Sequence, residues 1–336
     1  MCPMTEKSMP DSHVIDRWLL DTLLRTPVNG IASRSRYKLL RGTRKLRLLL
    51  SDPLVTFPLG GCRLRLPLSH ELPFYKRTFP EYALNLGRVS FCVRQKYPDL
   101  MMIDVGANVG DSVAIVRMFS DHAILCVEGE PHFFQLLAEN TRSLPGIELE
   151  QTFLGAKGDH VRRICTERGN AQVCLGSAPG QADICTLSEV VARHPRFAGA
   201  KLIKLDAEGF DCKIIAAEPA LLLRSKPVLF FEYYPDSCQM AGHEAFPVFS
   251  LLFELGYSSL LIYQNVGRYL MTISLDEVRQ LKDLHLFLVS SHGFCDVVAF
   301  HKEDQDVAAN LQASTYAEQS KRISAAKREP ANGNHR

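Results

Sequence analysis

The sequence predicts a doubly wound α/β domain: a mostly parallel sheet of about seven strands with helices on both faces, preceded by a helical extension. Short apolar runs alternate with helical patterns throughout residues 99–301. One of those runs, Leu100 to Ile103, ends in an acid, Asp104, and then a glycine-bearing turn through Gly110, with a helical pattern behind it. Strand, glycine turn and helix open a nucleotide-binding unit. No linker interrupts the alternation, so residues 65–302 read as one domain, between an N-terminal helical and basic extension (1–64) and a polar tail (303–336).

In chain order, residues 1–12 read as a loose tail. A helix starts near Ser12, a candidate N-cap, with Val14, Ile15, Trp18, Leu19, Leu20, Leu23 and Leu24 at helical spacing; Pro27 and Gly30 end it. Ser33 to Leu50 is basic, with Arg34, Arg36, Lys38, Arg41, Arg44, Lys45 and Arg47, no acid, and leucines between. It reads as a helix packed on the domain with a solvated basic face, or as a surface for an anionic partner: a membrane surface, a sugar phosphate or an acidic carrier. Pro53 to Pro73 suggests a hairpin or loops. The aromatic stretches Leu72–Tyr75 and Phe79–Tyr82 either wall a site or cover a sheet edge. Ala83 to Tyr97 is a helix.

After the glycine turn, Val113, Ile115, Val116, Met118 and Phe119 mark an apolar helix side. Ala123 to Val127 is the second strand, ending at Glu128. Pro131 starts a helix with Phe133, Phe134, Leu136 and Leu137 inward. Ile147 to Leu154 is the third strand. His160 to Asp183 is weakly patterned, and 176–182 reads as a surface loop or short strands over the site. A short helix covers Thr186 to Ala192. Lys201 to Leu205 is the fourth strand, followed by a polar turn and a helix over Phe210 to Leu223. Val228 to Phe231 is the fifth strand, ending in Glu232. A helix over His243 to Leu255, a strand over Tyr257 to Tyr263, a helix opening at Ser274 with Asp276 and Glu277 in its first turn, and a strand over Asp296 to Phe300 complete the domain. From Lys302 the chain reads as a partly helical, otherwise disordered tail.

Composition narrows the function classes. A formal net charge of +2 over 336 residues gives no general attraction to nucleic acid. Ten cysteines without a C-x-x-C pair read as reduced thiols in a cytoplasmic protein, not as a disulfide framework or zinc site. No run approaches the roughly 18 apolar residues of a membrane span.

The turn narrows the ligand. A dinucleotide fingerprint needs G-x-G-x-x-G, and Asn108 stands where its second glycine would be. Asp104, at the strand tip, would repel a pyrophosphate but suits a cationic ligand. A nicotinamide dehydrogenase is therefore disfavoured. D-x-G-x-N-x-G is similar instead to motif I of the S-adenosylmethionine (SAM) methyltransferases, whose cofactor carries an ammonium and a sulfonium. Asp104, Gly106, Asn108, Gly110, Asp111 and Ser112 are the expected contacts. Glu128, 24 residues after Asp104, stands where a ribose diol is held.

Three blocks together resemble the FkbM family of SAM-dependent methyltransferases. They are Ile103 to Ser112; Val127-Glu128-Gly129-Glu130-Pro131 with Leu137 and Asn140; and Leu202-Ile203-Lys204-Leu205-Asp206-Ala207-Glu208-Gly209. Thr186-Leu187 and Glu232 are also similar, and the likeness spans about residues 65–301. Gly129 and Ser188 depart from the family's usual Pro and Asp. The resemblance implies methyl transfer from SAM to a hydroxyl of a sugar, glycolipid or secondary-metabolite acceptor.

Asp206 and Glu232 end strands on the ligand side of the sheet, so Asp206 is the first candidate for base or acceptor orienter and Glu232 the second, with Lys204 beside them. Lys204 and Asp206 share a strand face if the strand runs that far. Glu208 either contacts the methionine end of SAM or serves as a helix-start acid. His243 is a weaker candidate base. Mg²⁺ between Asp206 and Glu232 is an alternative but not the expectation, because two carboxylates supply too few ligands. A non-catalytic descendant that binds SAM or a partner stays open as the other reading.

Overall fold

The structure is a computed structural model that describes residues 14–157, 160–167, 170–176 and 182–326. Ser12, the expected N-cap, lies outside them.

Helix α1 (Val14–Arg25) buries Leu19, Leu20 and Leu23, and α2 (Ile31–Leu50) lies against it. On its inner side α2 buries Leu40 and Arg44. Arg44 donates to the carbonyls of Leu68 (2.9 Å) and Ser69 (2.8 Å) and faces Glu71. Strands β1 (Leu54–Leu59) and β2 (Cys62–Pro67) form an antiparallel hairpin. The expected boundary at 64 falls inside β2. Helices α3 (Leu72–Thr78) and α4 (Leu84–Lys96) then lead into the sheet.

The core units follow in order: β3 (Met101–Val105), α5 (Asp111–Val116), β4 (Ala123–Glu128), α6 (Pro131–Thr141) and β5 (Ile147–Gln151). Met118 lies past the end of α5 and is exposed, contrary to its expected place on the apolar side. The expected third strand is split: β6 (Phe153–Leu154) leaves the main sheet and joins β7 (His160–Glu167), β8 (Asn170–Gly176) and β9 (Ala182–Cys185) in a four-stranded one. Thus the weakly patterned stretch is largely paired strand; most of 176–182 lies outside the described residues.

Helix α7 (Leu187–Arg193) starts at a capping box formed by Thr186 and Glu189. After β10 (Leu202–Leu205) the expected single helix is two, α8 (Asp211–Ala217) and α9 (Pro219–Ser225), because Pro219 has no N–H to continue the first. Strand β11 (Val228–Tyr233) is followed by α10 (Pro235–Met240) and α11 (Pro247–Glu254). His243 sits in the turn between them, not in a helix.

Beyond α11 the chain departs most from the expected course. Strand β12 (Tyr257–Gln264) pairs with an unexpected edge strand, β13 (Tyr269–Ser274). Ser274 therefore ends a strand; α12 (Val278–Ser291) begins after Asp276 and Glu277. Strand β14 (Cys295–His301) inserts antiparallel between β11 and β12. The expected tail starts instead as α13 (Gln305–Ala326), which buries Val307, Ala308 and Leu311 against the sheet. Few apolar residues suffice because they fall on one face of the helix.

The main sheet has eight strands in the order β13-β12-β14-β11-β10-β3-β4-β5. Its five strands from β5 to β11 are parallel, and the fold is a Rossmann-like doubly wound sheet. Apolar clusters fill both sides, as expected of strands covered on each face.

Candidate active site

Strand order reverses between β3 and β10: β4 and β5 step outward from β3, while β11 follows on the other side of β10. Loops leaving the two central strands part there, which is where open α/β sheets bind ligands. The crevice encloses about 430 Å³, within the usual range for a small-molecule site.

Its floor is the turn after β3. Gly106 has φ +71°, and a Cβ there would lie 1.9 Å from the backbone oxygen of Asp206. Glycine alone lets the two loops approach so closely. Gly106 and Ala107 donate their N–H groups to the Val127 carbonyl at 2.9 and 3.1 Å. Asn108 follows at φ +47°, which asparagine tolerates better than most side chains. Its side chain has a partner that sequence reasoning missed. His70 accepts the Leu72 N–H at Nδ1 (3.2 Å), so its Nε2 carries the proton and faces Asn108 Oδ1 at 3.3 Å. Burial lowers the pKa of His70, keeping the ring neutral.

Glu128 lines the crevice at the tip of β4. Its carboxylate is held from both sides, by the N–H of Asn108 (2.9 Å) and of Glu130 (2.8 Å). Each oxygen accepts one backbone bond and keeps a lone pair for a ligand. Beyond it, Thr152, Phe153, Leu154 and Ile184 make an end of the crevice. A Cβ on Gly129 would sit 2.2 Å from the Phe153 ring, so the glycine at this position makes room for that ring. The other departure, Ser188, also has a local reason: its N–H donates to Glu218 Oε1 at 2.8 Å and its hydroxyl to Glu218 Oε2. An aspartate there would face the buried Glu218.

Asp104 does not take the place expected of it. It is fully buried beneath the turn and not on the crevice wall. Ser112 donates its hydroxyl to Asp104, and Lys204 Nζ lies 3.1 Å from its Oδ1. That contact is electrostatic rather than a well-angled hydrogen bond. Asp104 and Lys204 are register neighbours on β3 and β10. Gly110 is likewise behind the wall, at the start of α5 with φ +87°. Asp111 and Ser112 do line the crevice.

Lys204 reaches the wall, donates to the Gly106 carbonyl at 3.0 Å and lies 3.5 Å from Asp206 Oδ2. Strand β10 stops at Leu205, yet the two side chains still meet. Burial alone would lower the lysine pKa; the carboxylates of Asp104, Asp206 and Asp111 outweigh it and raise the pKa above the ordinary lysine value. Lys204 therefore stays charged and cannot serve as a base.

Acids dominate the rest of the wall. Asp206 is the exposed one. Glu208, at φ +50°, has its pKa pushed up to about 7 by burial and by Asp206 and Asp211. Asp211, fully buried at the start of α8, rises to about 7 for the same reasons, although it accepts the Ala207 N–H at 3.3 Å. Glu232 is raised well above the carboxylate range by burial and its acidic neighbours. Opposite it across β11 and β14 stands Asp296, raised to about 7 and bonded to Asn85 Nδ2 at 2.8 Å. Asp296 and Asn85 were not expected; the signal was a single acid at the start of an otherwise apolar strand. Tyr75 and Tyr82, stacked at 5.2 Å, form an aromatic side of the crevice. His243 is not on the wall and bonds the Gly209 carbonyl at 2.8 Å through Nε2. Among the described residues no group of three or more His, Cys, Asp or Glu is arranged to hold a metal ion.

No protein-family model and no curated protein matches the chain. Solved structures do resemble it in fold. A precorrin-6y C5,15-methyltransferase of Geobacter metallireducens is 14% identical with a TM-score of 0.32, covering 61% of this chain and 80% of that one. The fibrillarin of Aeropyrum pernix with natively bound S-adenosyl-L-methionine is 10% identical with a TM-score of 0.34, covering 60% and 66%. A methyltransferase FkbM of Methylobacillus flagellatus is 16% identical with a TM-score of 0.32, covering 48% of this chain and 39% of that one. Likeness at this level says nothing of substrate.

Proposed function

We propose that the chain is a cytoplasmic SAM-dependent O-methyltransferase of the FkbM type, acting on a hydroxyl of a sugar, glycolipid or secondary-metabolite acceptor. The observation that carries this reading is the density of carboxyl groups in the crevice, raised in pKa by burial and by one another and so ready to ionise around a cation. Glu128, Asp206, Glu208, Glu232 and Asp296 line it, and Lys204, its cation among the described lining residues, is already engaged by Asp104, Asp206 and a backbone carbonyl. Such a wall repels a pyrophosphate and favours a ligand with positive charge and a diol.

These residues fit SAM. Glu128, with a lone pair left on each oxygen, is suited to the ribose hydroxyls. The turn Gly106 to Asn108 and the side chains of Asp111, Ser112 and Glu208 are suited to the methionine end. Asp104 contributes from below by fixing Ser112 and Lys204. When bound, SAM supplies a methyl group made electrophilic by its sulfonium. The chain's own part is to position the acceptor hydroxyl and take its proton. Asp206 is accessible and stands first for that role; Glu232, with Asp296 opposite, stands second. A cation in the crevice lowers the raised pKa values of Glu232 and Asp296 and so prepares them as proton acceptors.

A transfer assay with methyl-labelled SAM against glycan, glycolipid and small-phenol pools, with and without EDTA, tests the reading. Label in a hydroxyl-bearing acceptor that survives EDTA and is lost with Asp206→Asn supports it. SAM binding without transfer to any pool points to a binding-only protein.

A further inference from the structure

Outside the crevice, the outer side of the N-terminal helix pair carries a run of exposed apolar side chains. Helix α2 has two apolar sides. One, with Leu40 and the stem of Arg44, packs inward. On the opposite side Ile31, Leu39, Leu46, Leu49 and Leu50 are 87, 71, 63, 82 and 80% exposed. At 100° per residue they fall within about one third of the helix circumference. Directly beside that strip runs a row of exposed cations at i, i+4, i+7 and i+11: Arg34, Lys38, Arg41 and Lys45. Residues 31–50 contain no acid.

Helix α1 extends the strip. Asp16 and Arg47 pair at 2.8 Å, which sets the start of α1 beside the end of α2. There Val14, Ile15 and Trp18 are 67, 78 and 59% exposed. Trp18 is the chain's single tryptophan. An apolar strip bordered by a cationic row, with an indole near one end, matches an interfacial helix lying in the headgroup region of an anionic membrane. A second copy of this chain would bring two cationic rows together, so charge favours the lipid.

We propose that the outer face of the α1–α2 pair docks the protein on an anionic lipid bilayer. The same pair is fastened to the crevice. Arg44 holds the carbonyls of Leu68 and Ser69, and Arg77 donates to the carbonyls of Leu23 (2.9 Å) and Thr26. The segment 70–82, held at its start and at Arg77 by these anchors, carries His70, Leu72, Tyr75 and Tyr82 of the crevice wall. Docking therefore sets the crevice at a defined place relative to the membrane. The inference does not depend on the reaction carried out there.

The test is co-sedimentation of the full chain with vesicles of phosphatidylcholine alone or mixed equally with phosphatidylglycerol, while the emission of Trp18 is followed. Binding to the anionic vesicles, weakened by salt and accompanied by a blue shift, is expected; neutral vesicles should bind poorly. Each basic side chain contributes roughly fivefold, so Lys38→Gln/Arg41→Gln/Lys45→Gln should weaken binding roughly 100-fold. Leu46→Ser/Leu49→Ser keeps the charge but should lose the tight binding. All five side chains are exposed, and unchanged melting temperatures confirm that the variants fold. Equal binding to both vesicle types, no binding, unchanged Trp18 emission, or variants that bind like the parent each overturn the proposal. A concentration-dependent dimer abolished by Leu46→Ser/Leu49→Ser would assign the face to a second copy and overturn it too.

Discussion

Lys204→Met strips the charge from the centre of the crevice floor. Asp104 then keeps the Ser112 hydroxyl but loses the ammonium 3.1 Å away, and at 0% exposure it has no water to replace it. Removing one partner of a buried ion pair costs about 3–5 kcal/mol, because the other charge is left uncompensated. Asp104→Asn/Lys204→Met removes both charges and should recover at least half of the loss, since a pair replaced together is often nearly neutral. Urea unfolding of the parent, the two single variants and the double variant at neutral pH measures this. A loss below about 1 kcal/mol for Lys204→Met, or a double variant no more stable than that single one, refutes the reasoning.

Gly106→Ala combines a left-handed backbone with a Cβ 1.9 Å from the Asp206 carbonyl oxygen; a stability loss of at least about 1–3 kcal/mol is expected in thermal melts, with weaker ligand binding. Asp296 has a folded pKa of about 7, so its ionisation destabilises the apoprotein increasingly as pH rises towards 7 and no further above it. Asp296→Asn keeps an acceptor for Asn85 and should gain about 1–2 kcal/mol over the parent at about pH 8, after discounting for crevice water, and less at about pH 5; pH-dependent denaturation reads the difference. Ser188→Asp places a second carboxylate on the buried Glu218 and should cost about 1–3 kcal/mol, largely restored by adding Glu218→Gln.

Much of the sheet was legible in the sequence because its central strands are apolar runs separated by helical patterns and glycine turns. Edges were harder to read. Strand β13 is half solvated and short, and α13 buries few apolar residues in a polar sequence, so neither carries a strong periodic signal. In the crevice, Glu128 and Asp206 come to the wall at strand ends, as the motif positions suggested. Asp104 does not, because its partner Lys204 lies far along the chain and meets it through strand register. His70, Asn85 and Asp296 went unnoticed for the same reason. Asn85 and Asp296 are 211 residues apart and become neighbours only once β14 inserts beside β11. Asn108, conspicuous in the sequence as the residue that breaks the dinucleotide pattern, makes sense once the neutral His70 is found holding its side chain.

The most direct measurement is calorimetric titration of the full chain with SAM, its demethylated product and NAD, repeated with Glu128→Gln. Saturable binding of SAM and its product, none of NAD, and a loss of at least about tenfold with Glu128→Gln are expected, since a neutral amide accepts the ribose hydroxyls less well and also unsettles the Asn108 and Glu130 N–H groups. Binding of NAD in place of SAM, or of no nucleoside at all, would contradict a SAM site in this crevice.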